Sequence, residues 1–173
     1  MHQFDEILMD SAAGIGDQYF QLPVAGSDDL IYRERVYCYE LYHQMRARWP
    51  EECLYSLGGE VDKAGHPLVR GNGLDGLKPD FLVHVPGDMG ENYAVVEVKP
   101  ANGSPDGVAK DIETLKAFVQ HAEYERGIFL VYGARIDDLP DRVCKELQQA
   151  PQEIEIWIHS QPLASAERMF DIS

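Results

Sequence analysis

Apolar and polar positions fall into helical blocks and strand blocks that alternate along the chain. Residues 30–49, LIYRERVYCYELYHQMRARW, carry Ile31, Cys38, Leu41, Tyr42, Met45 and Trp49 at helical spacing. Asp28 or Asp29 can cap a helix that begins at Leu30, and Pro50 stops it. CLYSLGGEV (53–61) gathers strand-forming residues around a glycine pair, the pattern of a strand with a bulge or bend. The glycine-rich stretch 62–79 reads as loop, and DFLVHV (80–85) and YAVVEVK (93–99) read as two strands joined by PGDMGEN. An amphipathic helix follows over 108–124, with Ile112, Leu115, Val119 and Ala122 on one stripe. GIFLVYG (127–133) has the form of a fully buried strand, 137–150 that of a helix, and EIEIWIH (153–159) that of a final strand.

The order is helix, three strands, helix, strand, helix, strand. Strands that alternate with helices need crossovers, so the expected architecture is α/β, a mixed central sheet covered on both faces. The first 27 residues mix Gly, Asp and Gln with scattered apolars and read as an N-terminal arm, irregular or a short helix over the core. Residues 28–173 then form one domain, as a length of 173 leads one to expect.

Composition narrows the setting. No run approaches the ~20 apolar residues that cross a bilayer, and the acidic start MHQFDEILMD is unlike a signal peptide. Three cysteines with no CxxC pair point to neither a disulfide framework nor a zinc knuckle. A cytoplasmic protein with no membrane partner is the expectation. Net charge is −15, of which residues 28–116, with 16 acids and 10 bases, hold only −6. Such a chain repels a phosphate backbone at long range.

The segment KPDFLVHVPGDMGENYAVVEVKP (78–100) concentrates the chemistry. A hairpin centred on Asp88–Met89 sets Asp80 and Glu97 nearly opposite each other. Strand alternation puts Asp80, Leu82 and His84 on one face, and likewise Glu97 and Lys99 on their own strand. Two carboxylates and an ammonium thus converge between apolar strands. Buried carboxylates need a partner or a cation, and hard oxygen donors suit Mg²⁺ or Mn²⁺. A plain salt bridge from Lys99 to Glu97 or Asp80 is the blander outcome.

The first helix is an independent test. With Ile31 at zero and about 100° per residue, the apolar stripe centres near roughly 320°, Glu34 falls near roughly 300° and Glu40 near roughly 180°. An acid on a core-facing stripe needs a reason, and a metal site on the sheet below supplies one.

A helix Glu34, then Pro79-Asp80, then Glu97-Val98-Lys99, in αβββαβ order, resembles the PD-(D/E)xK phosphodiesterase superfamily over roughly residues 28–133. The resemblance implies a three-layer restriction-endonuclease-like fold, with the last helix and strand as an extension. It implies a Mg²⁺- or Mn²⁺-dependent nuclease, acting on DNA or less often RNA. Asp80, Glu97 and the Val98 carbonyl would hold the metal, and Glu34 a second metal or a metal-bound water. Lys99 would orient or deprotonate the attacking water. Lys110 or Lys116 on the next helix would touch phosphate, and the residues do not choose between them. Small nucleases of this kind often work inside a defence, repair or mobile-element system.

Around Asp80, Lys99, Lys110 or Lys116, and with them Lys78 or Arg70, should make a face less acidic than the rest. Glu60 reads as a strand end, His84 as a hydrogen-bonded structural residue and Asp111 as a complement to its helix dipole. Tyr32, Tyr37, Tyr39 and Tyr42 could stack on bases, though packing is the commoner use. The acidic surface keeps open a different class of function, a catalytically silent nuclease-fold binding or regulatory subunit. It also leaves room for a protein partner that supplies a basic surface. A homodimer stays open.

Overall fold

In the computed structural model, residues 3–26, 28–59, 74, 76–88 and 90–170 are described. Two short helices, α1 (Phe4–Ala12) and α2 (Asp17–Phe20), precede a small hairpin of β1 (Leu22–Pro23) and β2 (Leu30–Ile31). The long helix α3 (Glu34–Ala47) leads to β3 (Ser56–Gly59), β4 (Phe81–His84) and β5 (Asn92–Pro100). Then come α4 (Pro105–His121), β6 (Arg126–Tyr132), α5 (Asp141–Gln148), β7 (Ile154–His159) and β8 (Glu167–Met169).

The main sheet has six strands in the order β3-β4-β5-β6-β7-β8. β3, β4 and β5 form an antiparallel meander, β5, β6 and β7 run parallel, and β8 is antiparallel to β7. The sheet is therefore mixed, as the strand and helix blocks require. Alternation along each strand feeds two cores. Phe81, Val83, Val96 and Val98 pack with α1 and α3 on one face. Leu82, Val95, Phe129 and Val131 pack with α4 and α5 on the other. Nearly every residue of β5 and β6 is buried, because both faces of these central strands are covered.

Several expectations about boundaries change. The helix expected from Leu30 starts at Glu34, because Leu30 and Ile31 are extended in a ladder with Pro23 and Leu22. Ile31 is thus not on the helical stripe; the buried residues of α3 are Tyr37, Cys38, Leu41 and Met45. The glycine pair at 58–59 makes no bulge, since β3 pairs with β4 in regular register; the irregularity lies between Val83 and His84. The helix expected from 137 starts at Asp141, because Pro140 lacks the N–H that a helix interior needs. β8 is an addition to the expected order, a three-residue edge strand with too short a pattern to detect.

The first residues supply α1, whose Phe4, Ile7, Leu8 and Ala12 belong to the core. Arg126 ties that helix to the sheet, reaching Asp5 at 2.7 Å and Glu155 with two bonds of 2.7 Å. Among the described residues, no helix is long and apolar enough to cross a membrane.

Candidate functional site

Register carries Asp80 to its place. Phe81, Leu82 and Val83 pair with Val96, Val95 and Ala94, so the next step back sets Asp80 opposite Glu97. The Val98 N–H donates to Asp80 Oδ2 at 2.8 Å, fixing the carboxylate at the start of β4. Glu97 and Lys99 are two apart on β5 and share a face. Both lie near the C-terminal end of β5, which pairs antiparallel with β4 and parallel with β6. Open α/β sheets commonly bind ligands outside the carboxyl ends of their strands.

The ammonium of Lys99 is clamped. Its Nζ lies 2.8 Å from Glu34 Oε2 on α3 and 2.8 Å from Asp111 Oδ2 on α4. One side chain of the sheet thus joins both helical layers. A cleft of about 390 Å³ opens here, lined by Asp80, Glu97 and Lys99 together with Glu34, Asp111 and Lys110. Arg35 and Lys78 also line it.

Burial decides the electrostatics. It pushes the Asp80 carboxyl up, against the Val98 N–H and with the help of the Glu34 charge. Glu97, only 7% exposed, is pushed further, first by burial and then by Asp80 and Asp111. The Asp80 charge beside it makes ionisation of Glu97 costlier still, so one shared proton is favoured over two adjacent negative charges. Asp111 is raised by burial, against the pull of Lys99. For Lys99, burial opposes the charge, but the Asp111 and Glu34 carboxylates beside it outweigh that and the pKa rises. Lys99 is therefore an ammonium at neutral pH, which fits the orientation of a water better than its deprotonation.

Whether these residues suit a divalent cation turns on the carboxyl pair. Among the described residues, no three His, Cys, Asp or Glu side chains form a group that could hold a metal ion. Mg²⁺, however, typically takes only one or two protein carboxylates and completes its shell with water and phosphate. Two buried carboxyls that need a proton to coexist are a donor set that a cation can take over, so Asp80 and Glu97 fit. Glu34 turns to the site as its helical phase requires, but its Oε2 is spent on Lys99. Glu40 instead accepts from Gln44 Nε2 at 2.6 Å.

The other candidates separate. Lys110 lines the cleft, whereas Lys116 pairs with Glu113 at 3.3 Å on the outer side of α4. Asp111 does not serve the helix dipole: α4 begins at Pro105, and the carboxylate in its second turn holds Lys99. A signal was available, because Asp111 sits on the stripe between Val108 and Leu115, where an acid needs a partner. His84 Nδ1 meets Tyr124 Oη at 3.3 Å. Tyr37 stacks on Tyr132 at 3.9 Å between ring centres, and Tyr42 donates to the Leu57 carbonyl. Tyr32 precedes α3 and donates to the Gly133 carbonyl, which leaves Tyr39 as the exposed member of the four. Glu60 and Arg70 lie outside the described residues. Set against protein-family models, curated proteins and solved structures, the chain matches none, so the reading of this site rests on its own residues.

Proposed function

We propose that this chain is a Mg²⁺- or Mn²⁺-dependent phosphodiesterase that cleaves nucleic acid, DNA in first place, with the restriction-endonuclease-like fold of the PD-(D/E)xK superfamily. One observation carries the reading: Asp80 and Glu97 face each other across β4 and β5, and Lys99 stands two residues on in the same cleft. The αβββαβ order and the helices on both sheet faces support it.

Asp80 and Glu97 would hold the cation, with the Val98 carbonyl as the resemblance implies. A bound cation would polarise the scissile phosphate and lower the pKa of a coordinated water. Lys99 orients the attacking water and offsets the negative charge that builds on the phosphate. Glu34 acts through Lys99. Lys110, Arg35 and Lys78 bring basic side chains to the cleft, which with Lys99 match its four carboxyls in number, so the cleft is less acidic than a chain of −15. Cys38, Cys53 and Cys144 are all free thiols, which suits a reducing cytoplasm.

The net charge of −15 favours a second reading, a silent binding or regulatory subunit of the same fold. A cleavage assay separates the two. Wild type, Lys99→Ala and Asp80→Ala are incubated at low salt with Mg²⁺ or Mn²⁺ and single-stranded DNA, duplex DNA or RNA. The phosphodiesterase cleaves at least one of these only with the cation, and both variants lose the activity. Wild type no more active than Lys99→Ala on every substrate overturns the enzyme reading in favour of the subunit.

A further inference from the structure

Lys99 is held more tightly than a mobile surface cation would be. Its stem lies against Gly103, in the turn between β5 and α4. A Cβ at Gly103 would stand 2.7 Å from Lys99 Cγ and 3.0 Å from Cδ, closer than such atoms pack. The turn itself is firm. Gly103 N–H donates to the Pro100 carbonyl at 2.8 Å, and the Ser104 side chain caps α4 by accepting from Gly107 N–H at 3.1 Å. That cap sets the phase of α4, and the phase aims Asp111 at Lys99.

The two carboxylates on Lys99 are not equivalent. The Asp111 side chain is 12% exposed and that of Glu34 is 38% exposed. One ammonium needs only one carboxylate for neutrality, and a phosphodiester brings its own negative charge. When a phosphate enters, the carboxylate more open to water gives way at the lower desolvation cost, and the buried one would be stranded if it did. We infer that Asp111 and Gly103 are positioning residues for the Lys99 ammonium, Asp111 its fixed anchor and Glu34 the partner that yields to the phosphate. This rests on the phosphodiesterase reading of the Asp80–Glu97–Lys99 site. Lysine has four rotatable bonds in its stem, and fixing them before the substrate arrives lowers the barrier to reaction.

The test combines steady-state cleavage, Mn²⁺ binding, thermal melting and ¹⁵N NMR of the Lys99 ammonium on wild type, Asp111→Asn, Asp111→Glu, Gly103→Ala and Glu34→Gln. Asp111→Asn lowers kcat by about 10- to 100-fold, as loss of an outer-shell partner does, with KM and Mn²⁺ affinity kept. Asp111→Glu recovers part of that loss. Gly103→Ala lowers kcat by displacing the Lys99 stem and lowers Tm as well, since its Cβ would also stand 3.0 Å from the Pro100 carbonyl oxygen, while Glu34→Gln acts chiefly on KM, lowering it severalfold. In the NMR experiment the ammonium signal persists in wild type and is lost to fast hydrogen exchange in Asp111→Asn.

Wild-type kcat in Asp111→Asn, no recovery in Asp111→Glu, or an unaltered Gly103→Ala overturns the inference and leaves the phosphodiesterase standing. If Asp111→Asn does not fold, Gly103→Ala and Asp111→Glu decide. A wild type that cleaves nothing overturns the phosphodiesterase reading and the catalytic role inferred from it; the ammonium signal then reports separately whether Asp111 holds Lys99.

Discussion

Asp80 and Glu97 stand one register step beyond the Phe81–Val96 pair, each on a strand whose neighbours are buried and apolar. Val98 N–H holds Asp80, and the Asp80 charge in turn raises the Glu97 carboxyl. Apart from the acceptor that Asp80 offers the Val98 N–H, nothing in the packing of β4 and β5 calls for an acid at either position. The pair costs stability in the bare protein, and a bound cation would offset that cost.

Asp80→Asn should therefore stabilise the metal-free protein. Asn keeps an acceptor for the Val98 N–H and gains a donor toward Glu97, while one of two adjacent buried acids disappears. A gain of about 1 kcal/mol raises Tm by about 2–4 °C for a chain of this size. Calorimetry in a chelator checks it, and a lower Tm in the variant would count against mutual repulsion at the pair.

The same pair sets a pH dependence. Both carboxyls titrate higher in the folded chain than when unfolded, so the folded state binds more protons. Their contribution is full below the ordinary carboxylate range of about 4 and is lost as pH rises through the folded values. A cation that replaces the shared proton reverses the trend. The rise in Tm on adding Mg²⁺ or Mn²⁺ should grow between about pH 5 and pH 8, and in Asp80→Asn it should be small throughout. Melting curves with and without the cation measure both.

Much of this site was legible in the sequence, for physical reasons that also mark where reading stopped. The facing of Asp80 and Glu97 follows from counting out from the turn at Asp88, because one residue of slip would have turned every side chain to the wrong core. Glu34 was oriented correctly although the helix start was misplaced from Glu34 to Leu30. Phase depends on the spacing to Cys38, Leu41 and Met45, and the start does not enter it. The start itself depends on a two-residue ladder with Leu22 and Pro23, a tertiary pairing that no local pattern announces. The dipole role expected of Asp111 follows from a helix that begins at Val108. With the start at Pro105 the residue moves out of the first turn, and only a partner on the sheet explains it.

Lys110 and Lys116 should behave differently toward nucleic acid. Lys110 lines the cleft, and Lys116 is occupied by Glu113. Lys110→Ala should weaken binding and reduce the slope of log affinity against log salt by about 1, the share of one phosphate contact. Lys116→Ala should change neither. Fluorescence anisotropy titrations over a range of salt, with Ca²⁺ to limit cleavage, provide the comparison; equal effects would remove Lys110 from the phosphate path.

Away from the site, His159 should contribute to the loss of stability in acid. It is fully buried, with Nδ1 2.6 Å from Tyr37 Oη and the Phe20 ring 4.6 Å away. Burial lowers its pKa to about 4, below the ordinary 6.5. The folded state then binds fewer protons than the unfolded one between these values, so stability is lost as pH falls from 6.5 toward 4. His159→Gln keeps an acceptor for Tyr37 and should flatten stability across that window. Denaturant midpoints measured at several pH values test it, and an unchanged acid slope would exclude His159 as the cause.

The central claim is that one carboxyl pair holds a cation while a neighbouring ammonium acts on the phosphodiester. It is tested most directly by counting bound Mn²⁺ and cleaved phosphodiester in the same samples of wild type, Lys99→Ala and Asp80→Ala. The account predicts that wild type binds Mn²⁺ and cleaves, Lys99→Ala binds Mn²⁺ without cleaving, and Asp80→Ala does neither. Cleavage by Lys99→Ala at the wild-type rate, or Mn²⁺ bound equally well without Asp80, would contradict it.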